Sequence, residues 1–148
     1  MQIAAPAARP SGGTVVGVGL DIVDVARVAR LLRRLPAAEA RLFTAAERAY
    51  CRGCSTADEH FAVRFAAKEA VGKALGTGVL DFTEIEVAGG GRPRVRLRGR
   101  TAAAAAQRGI GDLQISLTHT ATHAAAIAVA VAVDGSGAER SAQGGTVC

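Results

Sequence analysis

The sequence predicts an α+β domain in which a long helix packs on a mainly antiparallel sheet. Reading along the chain, we expect a strand, three helices, two strands, a helix and two strands. The later strands come in neighbouring pairs joined by short turns, which favours antiparallel pairing. The 148 residues suit one domain, which we place at residues 14–133. The Ala-, Pro- and Gly-rich residues 1–13 and the Gly- and Ser-rich residues 134–148 are predicted to be flexible extensions.

The first half of the domain is predicted to contain a strand and two helices that lead to a long third one. Residues 14–19 are a β-branched run typical of a strand. Residues 22–35 place their apolar side chains on one helical face, and Pro36 limits that helix. A second helix should open at the capping box formed by Thr44 and Glu47.

The third helix is predicted to begin near Asp58 as its cap and to end near Leu75, where Gly76 supplies a stop. The remaining segments are shorter. They are predicted as strands over 84–87 and 94–98, an alanine-rich helix over 101–108, and strands over 113–118 and 124–133 that meet in a turn at 120–123.

The composition limits the classes of function. The formal charge of +5 favours an acidic partner such as a phosphate compound, a nucleic acid, an anionic membrane or an acidic protein. Only 3% of the residues are aromatic, so a base-stacking nucleic-acid surface is disfavoured, and charge alone supports that alternative. No apolar run is long enough to span a bilayer and no signal peptide is recognisable, so we expect a cytoplasmic protein without a membrane partner. Much of the apolar content is alanine, which buries little area per side chain and favours subunit association.

Two carboxylates are candidate metal ligands. Asp21 follows the glycines of residues 17–19 and is expected to begin the first helix, where capping is its alternative role. Glu69 lies four residues before Lys73, so an exposed Glu–Lys pair is the alternative there. If the two carboxylates converge, they suit Mg²⁺, which completes its shell with water and phosphate oxygens. Residues 76–78 (Gly-Thr-Gly) follow closely, and their N–H groups favour a phosphate ligand such as a diphosphate.

Other polar residues carry weaker signals. His119 ends a predicted strand, and its alternatives are a structural role or a local pair with His123. Arg27, Arg30 and Arg34 form a basic stripe on the first helix. Because neighbouring like charges repel each other, this stripe is either a solvated face or a docking surface for an acidic protein. No chemical role is predicted for His60 or the three cysteines, Cys51, Cys54 and Cys148, which lack the ligands of a zinc site.

These segments resemble the holo-acyl-carrier-protein synthase family. The matching pieces occur in the family's order and cover nearly all of the predicted domain. They are VGLDIVD at 18–24, RFAAKEA at 64–70 with Lys73 and Gly76–Gly78, GRP at 91–93, and SLTHT at 116–120. The resemblance implies transfer of the 4′-phosphopantetheine arm of coenzyme A to a serine of an apo acyl carrier protein, with release of adenosine 3′,5′-bisphosphate. It implies the 4′-phosphopantetheinyl transferase fold.

The resemblance also implies roles for individual residues. Asp21 and Glu69 match the Mg²⁺ ligands, and Glu69, Lys73 and His119 are the candidate catalytic residues. The positions that match the surroundings of coenzyme A are Arg64, Lys68, Lys73, Gly76, Thr77, Pro93 and His119. Arg27, with Arg30 and Arg34, matches a surface that docks acidic carrier proteins.

The same family implies a homotrimer with active sites between subunits. A protein that binds carriers on the same fold without catalysis is the alternative. Fatty-acid, polyketide and peptide-synthetase carriers all remain open as the protein substrate.

Overall fold

The structure is a computed structural model that describes residues 13–133. The predicted extensions and Cys148 lie outside these residues, except that Gly13 already begins the first strand. The elements are β1 (Gly13–Asp24), α1 (Val25–Arg34), α2 (Pro36–Leu42), α3 (Ala45–Arg52), α4 (Ala57–Leu75), a 3-10 turn (Phe82–Glu84), β2 (Ile85–Ala88), β3 (Arg94–Leu97), α5 (Gly99–Gln107), β4 (Ile110–His119) and β5 (His123–Val133). Within residues 13–133, no helix is both long and apolar enough to cross a membrane.

All strand pairs among the described residues are antiparallel. Strand β5 lies between β1 and β4 in a three-stranded sheet, and β2 pairs with β3. Helix α4 packs on one face of the larger sheet, and its buried side chains form the main core with residues of β2, β5 and α5. The predicted α+β class, with antiparallel strands and a long packed helix, is confirmed.

Helix α4 approaches β1 at a separation that glycine makes possible. A Cβ atom on Gly17 would overlap the carbonyl oxygen of Ala74, and one on Gly19 would overlap that of Ala70. The contact surfaces of α4 and β5 are lined with buried alanines. Small side chains on both elements therefore let the backbones approach closely, so an alanine-rich chain can form a close-packed core.

The first helix begins later than the sequence predicts. Ile22 and Val23 continue β1 and pair with Ala125 and Ala124 of β5, so the strand runs through Asp24. The side chain of Asp24 accepts a hydrogen bond from the backbone N–H of Arg27 at 2.8 Å and caps α1. The prediction that Asp21 begins a helix is wrong, because strand pairing outweighs the helical periodicity of these residues.

Other local signals have mixed outcomes. The predicted capping box of Thr44 and Glu47 is confirmed, with both reciprocal hydrogen bonds present. Gly76 ends α4 in the left-handed conformation (φ +71°), as predicted. Pro36 follows the first helix, as predicted, and it is also the first residue of α2, a helix that the sequence did not predict. Thr56 precedes α4, so Asp58 lies within its first turn. The predicted elements of the second half are all present, with bounds shifted by at most three residues.

The described cysteines are free thiols. Burial raises the pKa of Cys51 to about 11, so its thiol stays protonated and unreactive near neutral pH. The Sγ of Cys54 lies 3.3 Å from the backbone oxygen of Tyr50. Both residues therefore fit the ordinary structural role that the sequence indicates.

Lys68 lies in the core rather than on a ligand-binding surface. Its ammonium is fully buried and donates to Glu47 Oε2 (2.7 Å) and to the carbonyl oxygens of Leu42 (2.7 Å) and Phe82 (2.8 Å). Burial lowers the pKa of Lys68, and the Glu47 carboxylate opposes this effect. All three N–H groups of its ammonium already have acceptors in the core, so the prediction that Lys68 belongs to the surroundings of coenzyme A stays a prediction.

We predict that Lys68→Met lowers the free energy of unfolding by about 3–5 kcal/mol, because it leaves the Glu47 carboxylate buried without its counter-ion. Chemical denaturation measures the change. The matched control is Lys73→Met on the same helix, because the Lys73 side chain is half exposed and its loss should cost less than about 1 kcal/mol. Equal stability of the two variants would contradict the structural role of Lys68.

Candidate functional site

A cavity of about 740 Å³ opens between β1, α1 and α4. Its lining joins two carboxylates, three arginines and a set of apolar side chains. The lining residues are Asp21, Ile22, Val23, Arg27, Val28, Arg30, Leu31, Arg34, Leu35, Phe65 and Glu69. We call this the carboxylate cavity. It brings together the two predicted metal ligands and the whole predicted basic stripe, although they come from three separate elements.

Asp21 reaches the cavity because of its register in β1. It lies two residues after Gly19, so its side chain points toward α4 as the Gly19 position does. Lys73 of α4 donates to Asp21 Oδ1 (2.8 Å) and to the carbonyl oxygen of Leu20 (2.9 Å). The ion pair of Lys73 therefore joins α4 to Asp21 of β1. The alternative roles, with Asp21 as a helix cap and Glu69 as a partner of Lys73, are not what the structure shows.

The donor set of the carboxylate cavity suits a hard divalent cation. Asp21 and Glu69 both line the cavity, and Asp21 has a second carboxylate oxygen besides the one that Lys73 binds. Residues 13–133 hold no cluster of three or more carboxylate, histidine or cysteine side chains placed for a metal. Two carboxylates alone leave most coordination positions to water and phosphate oxygens, which is the arrangement that Mg²⁺ accepts.

The exposed loop that ends α4 lies one helical turn beyond Lys73. Gly76 and Gly78 both have positive φ angles (+71° and +67°), which glycine adopts without a steric penalty. The loop folds back on its helix, since the N–H of Gly78 donates to the carbonyl oxygen of Gly72 at 3.1 Å. Thr77 is exposed between the two glycines. The two predicted cofactor-binding residues of this loop, Gly76 and Thr77, thus lie on the surface near Lys73.

Arg64 belongs to a different group of side chains. Its guanidinium lies over the ring of Tyr50 at 4.1 Å and donates to the carbonyl oxygen of Gly89 at 3.0 Å. Only 2% of the residue is exposed, and its Nε has no hydrogen-bond partner within residues 13–133. Gly89 begins the turn between β2 and β3 that also contains Pro93. Arg64 therefore connects α4 to this turn.

His119 continues the group around Arg64. Its Nδ1 lies 2.8 Å from Glu59 Oε2, and its ring is 5.5 Å from that of His60, which in turn is 5.7 Å from the ring of Tyr50. Burial lowers the pKa of His60, and the positive charge of Arg64 adds to this effect. We call Tyr50, His60, Arg64 and His119 the histidine cluster. The alternative for His119, a local pair with His123, is not what the structure shows, since His123 contacts Thr122 and Thr120.

The geometry of α4 explains why the predicted site residues fall into two groups. Successive residues of a helix are rotated by roughly 100°. Arg64 and Lys68, four residues apart, therefore share the face that points toward α3 and the β2–β3 turn. Glu69 and Lys73 share another face, which points toward β1. The described lining of the carboxylate cavity accordingly includes Glu69 but not Arg64, Pro93 or His119.

Several residues of these groups carry no clear signal in the sequence. Leu31 and Leu35 line the carboxylate cavity, although the sequence places only Leu35 on a helical face and gives neither residue a role in a site. Phe65 also lines it, and its position four residues before Glu69 is the one signal that identifies it. Tyr50 and His60 join the histidine cluster through tertiary packing, for which no local pattern exists.

The chain resembles known proteins in sequence and in fold. The holo-[acyl-carrier-protein] synthase of Anaeromyxobacter dehalogenans is 49% identical over 85 residues, which are 53% of this chain and 66% of that protein. The match thus spans just under two thirds of the length of this curated relative.

Solved structures match over a longer range. The holo-ACP-synthase of Plasmodium yoelii superposes with a TM-score of 0.75 at 26% identity and covers 84% of this chain and 100% of its own. The Helicobacter pylori holo-[acyl-carrier-protein] synthase, solved in complex with coenzyme A, superposes with a TM-score of 0.67 at 28% identity over 76% of this chain and 98% of its own. The sequence profile of the 4′-phosphopantetheinyl transferase superfamily matches residues 17–130. These matches confirm the resemblance drawn from the motifs, and the chain belongs to the 4′-phosphopantetheinyl transferase superfamily.

Proposed function

We propose that this protein transfers the 4′-phosphopantetheine group of coenzyme A to a serine of an apo acyl carrier protein. The observation that carries the proposal is the carboxylate cavity, which Asp21 and Glu69 line together with three arginines, and whose Asp21 is paired with Lys73. The relatives named holo-acyl-carrier-protein synthase, one of them solved with coenzyme A, support it. The expected cytoplasmic location is part of the same proposal.

In this reaction the serine oxygen forms a bond to the β-phosphorus of coenzyme A. The bond from that phosphorus to the bridging oxygen breaks, and adenosine 3′,5′-bisphosphate leaves with the electron pair. Asp21 and Glu69 would hold Mg²⁺, which would neutralise charge on the diphosphate. The Glu69 carboxylate accepts the serine proton. Lys73 is half exposed and retains an N–H beyond its bonds to Asp21 and Leu20, with which it neutralises a phosphate oxygen.

The carrier protein is proposed to dock on α1. Arg27, Arg30 and Arg34 are exposed and line the carboxylate cavity together with Leu31 and Leu35. A surface of this kind fits an acidic partner that presents apolar side chains among its carboxylates, because opposite charges steer the encounter and apolar contact holds it. The serine of the docked carrier would then enter the cavity that holds Asp21 and Glu69.

We further propose a homotrimer whose active sites lie between subunits. On the sheet face away from α4, Val18, Leu20 and Ile22 are 58%, 64% and 66% exposed, and Ile127 of the neighbouring strand is 39% exposed. An apolar patch of this kind marks an interaction surface. A site made between subunits also allows the carboxylate cavity of one copy to meet the histidine cluster of another, since the two groups lie on different faces of α4 within one chain.

We predict that Glu69→Gln lowers kcat for carrier modification by at least about 100-fold, because it removes the proton acceptor. The mass of an apo carrier incubated with coenzyme A and Mg²⁺ reports transfer, and calorimetry should show weaker Mg²⁺ binding by the variant. Asp58→Asn is the matched control, since this exposed carboxylate only pairs with Arg33 at 3.6 Å. A parent protein that modifies no fatty-acid, polyketide or peptide-synthetase carrier would support the alternative, a carrier-binding protein without catalysis.

We predict that Arg30→Glu raises KM for the carrier roughly tenfold and leaves KM for coenzyme A unchanged, because a charge reversal on the docking surface weakens only the protein partner. Steady-state kinetics at two salt concentrations measure both constants, and the effect should shrink at high salt. Arg41→Glu, on the exposed side of α2, is the control for net charge. An equal change in both variants would show that α1 has no specific part in docking.

The shared site predicts complementation between inactive chains. Glu69→Gln and His119→Ala should each be nearly inactive alone. Co-expression of the two chains should restore transfer at sites that take Glu69 from the His119→Ala chain and His119 from the Glu69→Gln chain. Light scattering during gel filtration checks the trimer. Mixed trimers that stay inactive would place both residues in the same subunit's site, and a His119→Ala chain that is active alone would exclude His119 from the reaction.

A further inference from the structure

Arg108 contacts the end of α4 from a separate element. It lies directly after α5, and its Nη1 donates a hydrogen bond to the carbonyl oxygen of Leu75. Its guanidinium occupies the space that a Cβ atom on Gly76 would need. The left-handed end of α4, where the Gly76–Gly78 loop begins, therefore lies directly against this cation.

The backbone around Arg108 aims its side chain at α4. Its N–H bonds to carbonyl oxygens at the end of α5, and Gly109 then turns the chain into β4 with a φ of +68°. The N–H of Val133 in β5 donates to the carbonyl oxygen of Gly109 at 3.2 Å, which ties this turn to the sheet. The C-terminal end of a helix carries partial negative charge on its last carbonyls, so a guanidinium is stabilised there.

The position of Arg108 matters for an anionic ligand because of its neighbours. The Gly76–Gly78 loop is exposed and lies one helical turn beyond Lys73, whose ammonium already binds Asp21. A guanidinium has five N–H groups, and the bond to Leu75 uses one of them. A charged side chain therefore lies at the base of the loop where phosphate oxygens of coenzyme A would come closest to the backbone.

We propose that Arg108 is a positioning residue that holds the Gly76–Gly78 loop in the conformation that binds a phosphate group of coenzyme A. The inference rests on the proposed function and extends it to a residue outside the motifs that the family resemblance uses. A helix cap without any effect on the ligand is the competing explanation, and the two differ in what they do to affinity for coenzyme A.

The test compares Arg108→Gln, Arg108→Lys and the charge control Arg41→Gln. Calorimetry measures the affinity for coenzyme A, steady-state kinetics measure KM and kcat, and thermal unfolding measures stability. We expect Arg108→Gln to weaken coenzyme A binding and raise its KM roughly tenfold, the size of one charge-assisted hydrogen bond, with little change in kcat. Arg108→Lys should recover part of the affinity, because the ammonium retains the charge and a single donor. Arg41→Gln should match the parent.

An unchanged affinity and an unchanged KM for coenzyme A in both Arg108 variants would overturn the inference. If these unchanged values came with a loss of thermal stability, Arg108 would act as a simple helix cap. A parent protein that binds coenzyme A but transfers nothing contradicts the proposed function and still allows the affinity test. A parent that does not bind coenzyme A overturns both.

Discussion

The close contact between α4 and β1 is the constraint on which the rest of the structure depends. Gly17 and Gly19 leave no side chain between the strand and the helix, so the backbone of α4 lies against them. At this separation the ammonium of Lys73 reaches both Asp21 and the neighbouring carbonyl of β1. Side chains at these glycines would push the helix away, and the two carboxylates would no longer line one cavity.

Helix α4 also determines which of the candidate site residues lie together. One of its faces carries Lys68, buried with Glu47, and Arg64, which lies over Tyr50. These contacts anchor the helix to α3 and to the β2–β3 turn, and they prevent rotation that would move Glu69 away from β1. The same arrangement places the histidine cluster and the carboxylate cavity on different faces of α4.

The arginine and lysine side chains lie in different environments in the structure. The arginines of α1 line the same cavity as the two carboxylates, so this part of the positive charge lies at the opening of the cavity. The charge of Arg108 lies at the C-terminal end of α4, and the charges of Arg64 and Lys68 are buried inside the fold. Net charge alone therefore says little about the partner, because only part of it faces solvent near the cavity.

The sequence by itself determined the features that depend on near neighbours: the capping box at Thr44, the helix stop at Gly76 and the antiparallel pair at the C-terminal end. Its motifs also singled out Asp21 and Glu69 as candidate metal ligands, because a motif is defined by residue types and their order in a short stretch of chain. Only the tertiary structure decided that Asp21 lies in a strand and that Lys68 is buried. Both outcomes come from strand pairing and side-chain packing between segments far apart in the chain, and such energies leave no periodic pattern in the sequence.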